Sequence, residues 1–145
     1  MGEQFRTDRT RYPTHRAHVK SARDRVRRVA FEWDLEESVI TDLALIASEL
    51  FTNAVLHAHP ARGREIGVTL VLSPGCVRLE VRDAGNALPT AREPSDDDPT
   101  GRGLLLVGTL ADRWDVITQV VGKTVFAEID LQKSTTRYGM GVGRA

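Results

Sequence analysis

From Ile66 to Gly85 the chain reads IGVTLVLSPGCVRLEVRDAG, and this stretch decides the fold. Ile66, Val68, Leu70 and Leu72 fall on one side of an extended chain. Ser73-Pro74-Gly75 forms a turn, and Val77, Leu79 and Val81 return with Arg78, Glu80 and Arg82 between them. A period of two separates an apolar face from a charged one, so the spacing predicts an antiparallel hairpin with one side to be covered. The returning strand ends in Asp83-Ala84-Gly85, a carboxylate followed by glycine.

Upstream of the hairpin the period is helical. Val19, Ala22, Val26, Val29 and Trp33 recur every three or four positions with arginines between them, which predicts an amphipathic helix. A second helix is predicted from Asp34, whose carboxylate caps free backbone amides while Glu37 completes a capping-box-like pattern. Val39, Leu43, Ile46, Leu50 and Ala54 form its buried stripe, and it fades between His57 and Pro60, because the residue before proline is pushed away from helical geometry. Downstream, residues 84–101 are rich in Pro, Asp, Ser and Gly and read as a long loop. A short helix is expected from Gly103 to Asp112, and Trp114–Val121 and Thr124–Leu131 form a second alternating pair around a Gly122-Lys123 turn. The glycine-containing tail beyond Lys133 reads as disordered.

Helices with one apolar face and hairpins apolar on one side are satisfied together when the helices stack on one face of the sheet. The expectation is an α+β fold, a two-layer α/β sandwich with helices on one face of a mostly antiparallel sheet. One domain spans residues 5–132, followed by a tail at 133–145.

The 145 residues suit one ordinary domain. Twenty basic residues balance twenty acidic ones, which gives no reason to expect direct binding of nucleic acid or of an anionic membrane. Arg6, Arg9, Arg11, Arg16, Lys20, Arg23, Arg25, Arg27 and Arg28 crowd the start of the chain and read as a solvated helix face. Cys76 is the single cysteine, so an internal disulfide is excluded. No uninterrupted apolar run approaches the roughly 20 residues of a membrane span, and no secretory leader pattern opens the chain. A reduced, cytoplasmic setting is the expectation.

Three patches place polar or glycine residues where core logic alone would not. In Ser48-Glu49-Leu50-Phe51-Thr52-Asn53-Ala54, Glu49 and Asn53 are four apart and share one stripe of the second helix. A carboxylate there can polarise an attacking hydroxyl, and an amide oxygen is a hard ligand of the kind Mg²⁺ takes. Taken alone, such a pair reads as an ordinary solvated helix edge. Asp83 at a strand end can accept the exocyclic amine of adenine, with Gly85 turning the backbone beside the base; an Asp-Gly turn is the plain alternative. Thr100-Gly101-Arg102-Gly103-Leu104 leads into an apolar helical run, where unpaired amides and a guanidinium favour phosphate, or where glycines simply enter a helix. Gly122-Lys123-Thr124 is not the end of a phosphate-binding loop, because Ile117 stands where its first glycine belongs. His57 and His59 lack companions at metal-ligand spacing and read as a helix end.

Taken in this order, the three patches resemble the N-box and glycine boxes of the Bergerat-fold ATPases, the family of gyrase, Hsp90 and histidine kinases. The match is to the anti-sigma-factor serine-kinase branch, carried by Ser48-Glu49-Leu50-Phe51-Thr52-Asn53-Ala54, Asp83-Ala84-Gly85, and Gly101-Arg102-Gly103-Leu104 onward to Leu110-Ala111-Asp112. The resemblance implies Glu49 as catalytic base, Asn53 as Mg²⁺ ligand and nucleotide contact, and Asp83 with Gly85 as adenine reader. It further implies Gly101, Arg102, Gly103 and Leu104 at the phosphates, and Thr124 as the strand threonine supporting adenine beside the aspartate. Ala87 replaces the last glycine of the usual Asp-x-Gly-x-Gly box, within an expected lid over residues 86–100. The implied cofactors are ATP and Mg²⁺. The implied function is a protein-serine kinase that binds a sigma factor and phosphorylates an anti-sigma-factor antagonist on serine, with a homodimer among the family's habits. The alternative is a nucleotide-gated binding module without significant kinase activity.

Overall fold

A computed structural model of the chain describes residues 5–57, 65–83, 99–119 and 122–131. The elements run β1 (Arg6–Pro13), a single 3₁₀ turn (Arg16–His18), α1 (Val19–Glu32), α2 (Glu37–His57), β2 (Glu65–Ser73), β3 (Cys76–Asp83), α3 (Pro99–Leu110), β4 (Arg113–Thr118) and β5 (Lys123–Asp130). The strands form one sheet in the order β1-β2-β3-β5-β4 with every neighbouring pair antiparallel. The helices cover one face of it, so the α+β sandwich expected from the hairpin and the helical stripes is the architecture found. The expected loop and lid at 84–98, the residues around His59 and Pro60, and the tail at 133–145 lie outside the described residues.

The core sits between the layers. Ile66, Val68 and Leu70 of β2, Val77, Leu79 and Val81 of β3, and Ala127 and Ile129 of β5 meet Ala22, Val26 and Val29 of α1 and Leu43, Ile46, Leu50 and Phe51 of α2. Each strand contributes every second residue, as a pleated strand must when one face is covered. By length and composition alone α2 could cross a membrane. Here its apolar surface is the centre of the core, with Val39, Leu43, Ala44, Ile46, Ala47, Leu50 and Phe51 all buried.

Four local features differ from the sequence-based expectation. The basic head becomes a helix only from Arg16 onward, and Arg6–Pro13 is an edge strand in register with β2 from Arg6↔Leu72 to Pro13↔Glu65. Asp8 on this strand accepts two hydrogen bonds from Arg25 of α1, at 2.9 and 2.7 Å. Tyr12 sets its ring edge-on to Phe51 with centroids 5.6 Å apart. Arg9 and Arg11 face solvent on the other side, which suits an edge strand that must not pair further.

Asp34 does not cap α2. It adopts φ 61, and the amide of Asp34 donates to the Phe31 carbonyl while that of Leu35 donates to the Ala30 carbonyl. These paired bonds around a left-handed residue are a Schellman ending, so Asp34 closes α1 and α2 starts afresh at Glu37.

The third helix begins four residues earlier than expected, at Pro99, so Gly101, Arg102 and Gly103 form its first turn rather than a loop before it. Proline suits that first position because its missing N–H would have no partner there. In the last hairpin Gly122 adopts φ 75 and its carbonyl accepts from the Gln119 amide at 3.0 Å; Lys123, expected in the turn, is already the first residue of β5.

Candidate functional site: a polar cavity under the second helix

The alternation of β3 runs one step past its apolar residues. After Val77, Leu79 and Val81, the next side chain turned toward the helices is Asp83, only 1% exposed. A carboxylate is tolerated at such depth only in polar company. That company comes from α2, whose stripe Leu50, Asn53, Ala54 and His57 passes directly over the strand ends. These residues, with Asp83, Val81, Leu104, Val116, Lys123 and Val125, line a cavity of ≈ 50 Å³.

Asn53 is 7% exposed, and its amide nitrogen has no hydrogen-bond partner among the described residues. A buried donor left unmade costs about 1–3 kcal/mol, a cost that an acceptor arriving with a ligand removes. The same amide, turned about its last bond, presents its oxygen, so Asn53 has the donor and the acceptor to serve either a ligand or a cation. Glu49 lies one turn earlier on α2. It is partly exposed, and its carboxylate makes no hydrogen bond or ion pair among the described residues, which leaves it free to take a proton. Among the described residues no cluster of three or more His, Cys, Asp or Glu is arranged for a metal. Mg²⁺ does not require one, since it keeps several waters and takes one or two protein oxygens.

The wall opposite β3 is α3. Leu104 is half-buried against the core and lines the cavity, which brings the first turn of α3 beside it. The amides of Thr100, Gly101 and Arg102 have no acceptor within the helix, so this end of α3 favours an anion. The side chain of Arg102, and Gly85, lie outside the described residues. Ligand pockets commonly reach about 300–1,000 Å³. The ≈ 50 Å³ cavity is well below that range.

The structure brings Asn53, Asp83 and Leu104 to one cavity, with Glu49 a turn away, but it does not bring Thr124 there. Thr124 pairs with Arg82, not with Asp83, and the period of two turns its side chain to the uncovered face of the sheet. There its hydroxyl donates to the Gln119 side-chain oxygen at 3.2 Å. The cavity-facing neighbour of Asp83 is Lys123, which sequence reasoning placed in a turn. Counting the alternation backward from Ile129 through Ala127 and Val125 reaches it. His57, read from the sequence as a helix end, is the last residue of α2 and lines the cavity as well.

A larger hollow of ≈ 590 Å³ lies on the uncovered face, lined by Arg9, Arg11, Gly67, Glu80, Arg82 and Thr124 among others. It holds none of Glu49, Asn53 or Asp83, and its size reflects the open sheet surface.

A sequence model of the family described as the histidine kinase-like ATPase domain matches residues 12–129. No curated protein sequence matches the chain. Among solved structures, the RsbU and RsbW domains of Rv1364c from Mycobacterium tuberculosis superpose with a TM-score of 0.67 at 21% identity, over 87% of this chain and 32% of that one. The Erythrobacter litoralis EL346 blue-light activated histidine kinase gives 0.59 at 23% identity, over 71% of this chain and 34% of that one. The SiaB-SiaC complex from Pseudomonas aeruginosa gives 0.59 at 11% identity, over 84% of this chain and 88% of that one. The chain thus spans about a third of the first two, and at these identities the likeness is one of fold.

Proposed function

Because the chain belongs to the histidine kinase-like ATPase domain family, we propose that it binds Mg²⁺-ATP in the cavity between α2 and the ends of β3 and β5, and that it is a regulatory protein-serine kinase of the anti-sigma-factor type. The observation that carries this reading is the convergence of buried Asp83 and buried Asn53 on one cavity beside the first turn of α3. Asp83, an acceptor, takes the exocyclic amine of adenine. Asn53 contributes its amide oxygen to the magnesium that accompanies the phosphates, and the free amides at the start of α3 hold phosphate oxygens. Bound Mg²⁺-ATP supplies the phosphoryl group and the charge neutralisation that its transfer needs.

Glu49 accepts the proton of the acceptor serine as its oxygen attacks the terminal phosphorus. The bond from that phosphorus to the bridging oxygen breaks, and ADP leaves. The carboxylate of Glu49, one turn from Asn53 and without a partner among the described residues, supports this role. The partners proposed are a sigma factor, held inactive by the domain, and an anti-sigma-factor antagonist, phosphorylated on serine. Support comes from the Ser48-Glu49-Leu50 and Gly101-Arg102-Gly103-Leu104 patches together with a fold shared with an RsbW domain.

Incubation with labelled ATP and candidate antagonist proteins tests the proposal. Phosphoserine on an antagonist, reduced by Glu49→Ala, is the expected result. If ATP binds and changes partner affinity but no phosphoserine forms, the domain is a nucleotide-gated binding module instead.

A further inference from the structure

Lys123 opens β5 and is the antiparallel partner of Asp83. Residues directly opposite on such a pair project to the same face, and both side chains line the cavity beside Asn53. The ammonium of Lys123 makes no hydrogen bond or ion pair among the described residues. Several cations of the sheet and of α1 are neutralised within the protein, Arg25 by Asp8, Arg78 by Glu80 and Glu128, and Arg113 by Glu128 and Asp130, while Arg9, Arg11 and Arg82 are exposed to solvent; Lys123 is half-buried and lines the cavity. Lysine carries a strongly hydrated point charge. Nothing about packing against Leu50, Val81, Val116 and Val125 calls for such a charge here.

We propose that Lys123 is a base-reading residue of the nucleotide site, donating to the ring-nitrogen acceptor that lies next to the amine taken by Asp83. The inference rests on the ATP reading of this cavity and names what gives the site its selectivity. Adenine presents a donor at its amine and an acceptor at the adjacent ring nitrogen, the order that a carboxylate beside an ammonium matches. Guanine presents the reverse, a carbonyl oxygen and then an N–H, so in the same pose it sets its oxygen against the carboxylate and its N–H against the ammonium. The pair therefore accepts adenine and rejects guanine through an unpaired charge on each side.

The test is calorimetric titration of the full chain and of Lys123→Met with Mg-ATP, Mg-GTP and the magnesium complex of 1-deaza-ATP, in which the ring acceptor is replaced by C–H. Methionine keeps the length of the stem and removes the charge. Wild type should bind the deaza analogue about tenfold to a hundredfold more weakly than ATP, the range for losing a hydrogen bond to a charged donor. Lys123→Met should bind ATP and the analogue alike, with its preference for ATP over GTP narrowed. Equal losses for ATP and the analogue in Lys123→Met would place the lysine at the phosphates and overturn the proposal, as would unchanged ATP affinity in the variant. Folded wild type that does not bind ATP would instead overturn the nucleotide reading of the cavity, and this inference with it.

Discussion

Asp83 and Lys123 face each other across β3 and β5 with both side chains turned into the same cavity. The relationship follows from the period of the strands. Val81 pairs with Val125 and Leu79 with Ala127 on the core side, so one further step of the ladder exchanges an apolar pair for a charged one where α2 presents Asn53. The same period carries Thr124 to the opposite face. The nucleotide site proposed here is thus the core continued by one register step, with polar side chains replacing the apolar ones.

Chemistry and binding should separate on α2. Glu49→Ala should still bind Mg-ATP while transferring phosphate about 10² to 10⁴ times more slowly, the usual cost of losing a general base. Asn53→Ala removes the proposed metal ligand and should flatten the Mg²⁺ dependence of ATP binding. Titrations at several Mg²⁺ concentrations, set beside single-turnover transfer, measure both. Parallel losses of binding and rate in the two variants would contradict the roles.

Asp34→Gly should stabilise the fold. Asp34 closes α1 at φ 61, a conformation that costs L-residues roughly 1–2 kcal/mol and glycine little. Glycine also makes the unfolded chain more mobile. A net gain of about 0.5–1 kcal/mol, read from urea denaturation midpoints, is expected. A loss would mean that the Asp34 carboxylate contributes more than its backbone conformation costs.

The uncovered face of the sheet should make stability acid-sensitive. Hydrogen bonds from Arg113 and then from Arg78 hold the Glu128 carboxyl below its ordinary value of 4.5. A carboxyl depressed on folding contributes stability that is fully present above its unfolded value and is lost as pH falls through its folded value. Stability should therefore decline from about pH 4.5 downward, and Glu128→Gln should flatten that decline while costing on the order of 1 kcal/mol at neutral pH, given how accessible Arg113 is. Denaturation midpoints across that range decide it; an identical acid slope in the variant would show that other carboxylates set it.

Where packing imposes a period, the sequence was legible. The β2–β3 hairpin and the stripe from Val39 to Ala54 were both readable because burial on one side forces apolar residues into register. β1 was not, because Arg6 to Arg11 contain no apolar residue; its place is set by pairing with β2 and by Asp8 reaching Arg25, contacts distant in sequence. Asp34 misled because aspartate suits both a helix start and a left-handed helix end. The first turn of α3 read as a loop because two glycines disfavour helix. Of the site, Asn53, Asp83 and Leu104 were visible as motif residues. Lys123 was hidden because Gly-Lys between two alternating runs has the look of a turn, and only the register with Asp83 shows it to be strand.

Asp83 carries the central claim, that the buried carboxylate at the end of β3 receives the amine of a bound adenine. Asparagine is nearly isosteric but can present an NH₂ where the carboxylate only accepts, and a lost charge-assisted hydrogen bond is worth about 1.5–3 kcal/mol. Calorimetric titration of Mg-ATP into wild type and into Asp83→Asn, with circular dichroism confirming that both are folded, is the most direct measurement. Binding by wild type and an affinity at least about tenfold weaker in Asp83→Asn is the predicted result; wild-type affinity in a folded Asp83→Asn protein would contradict it.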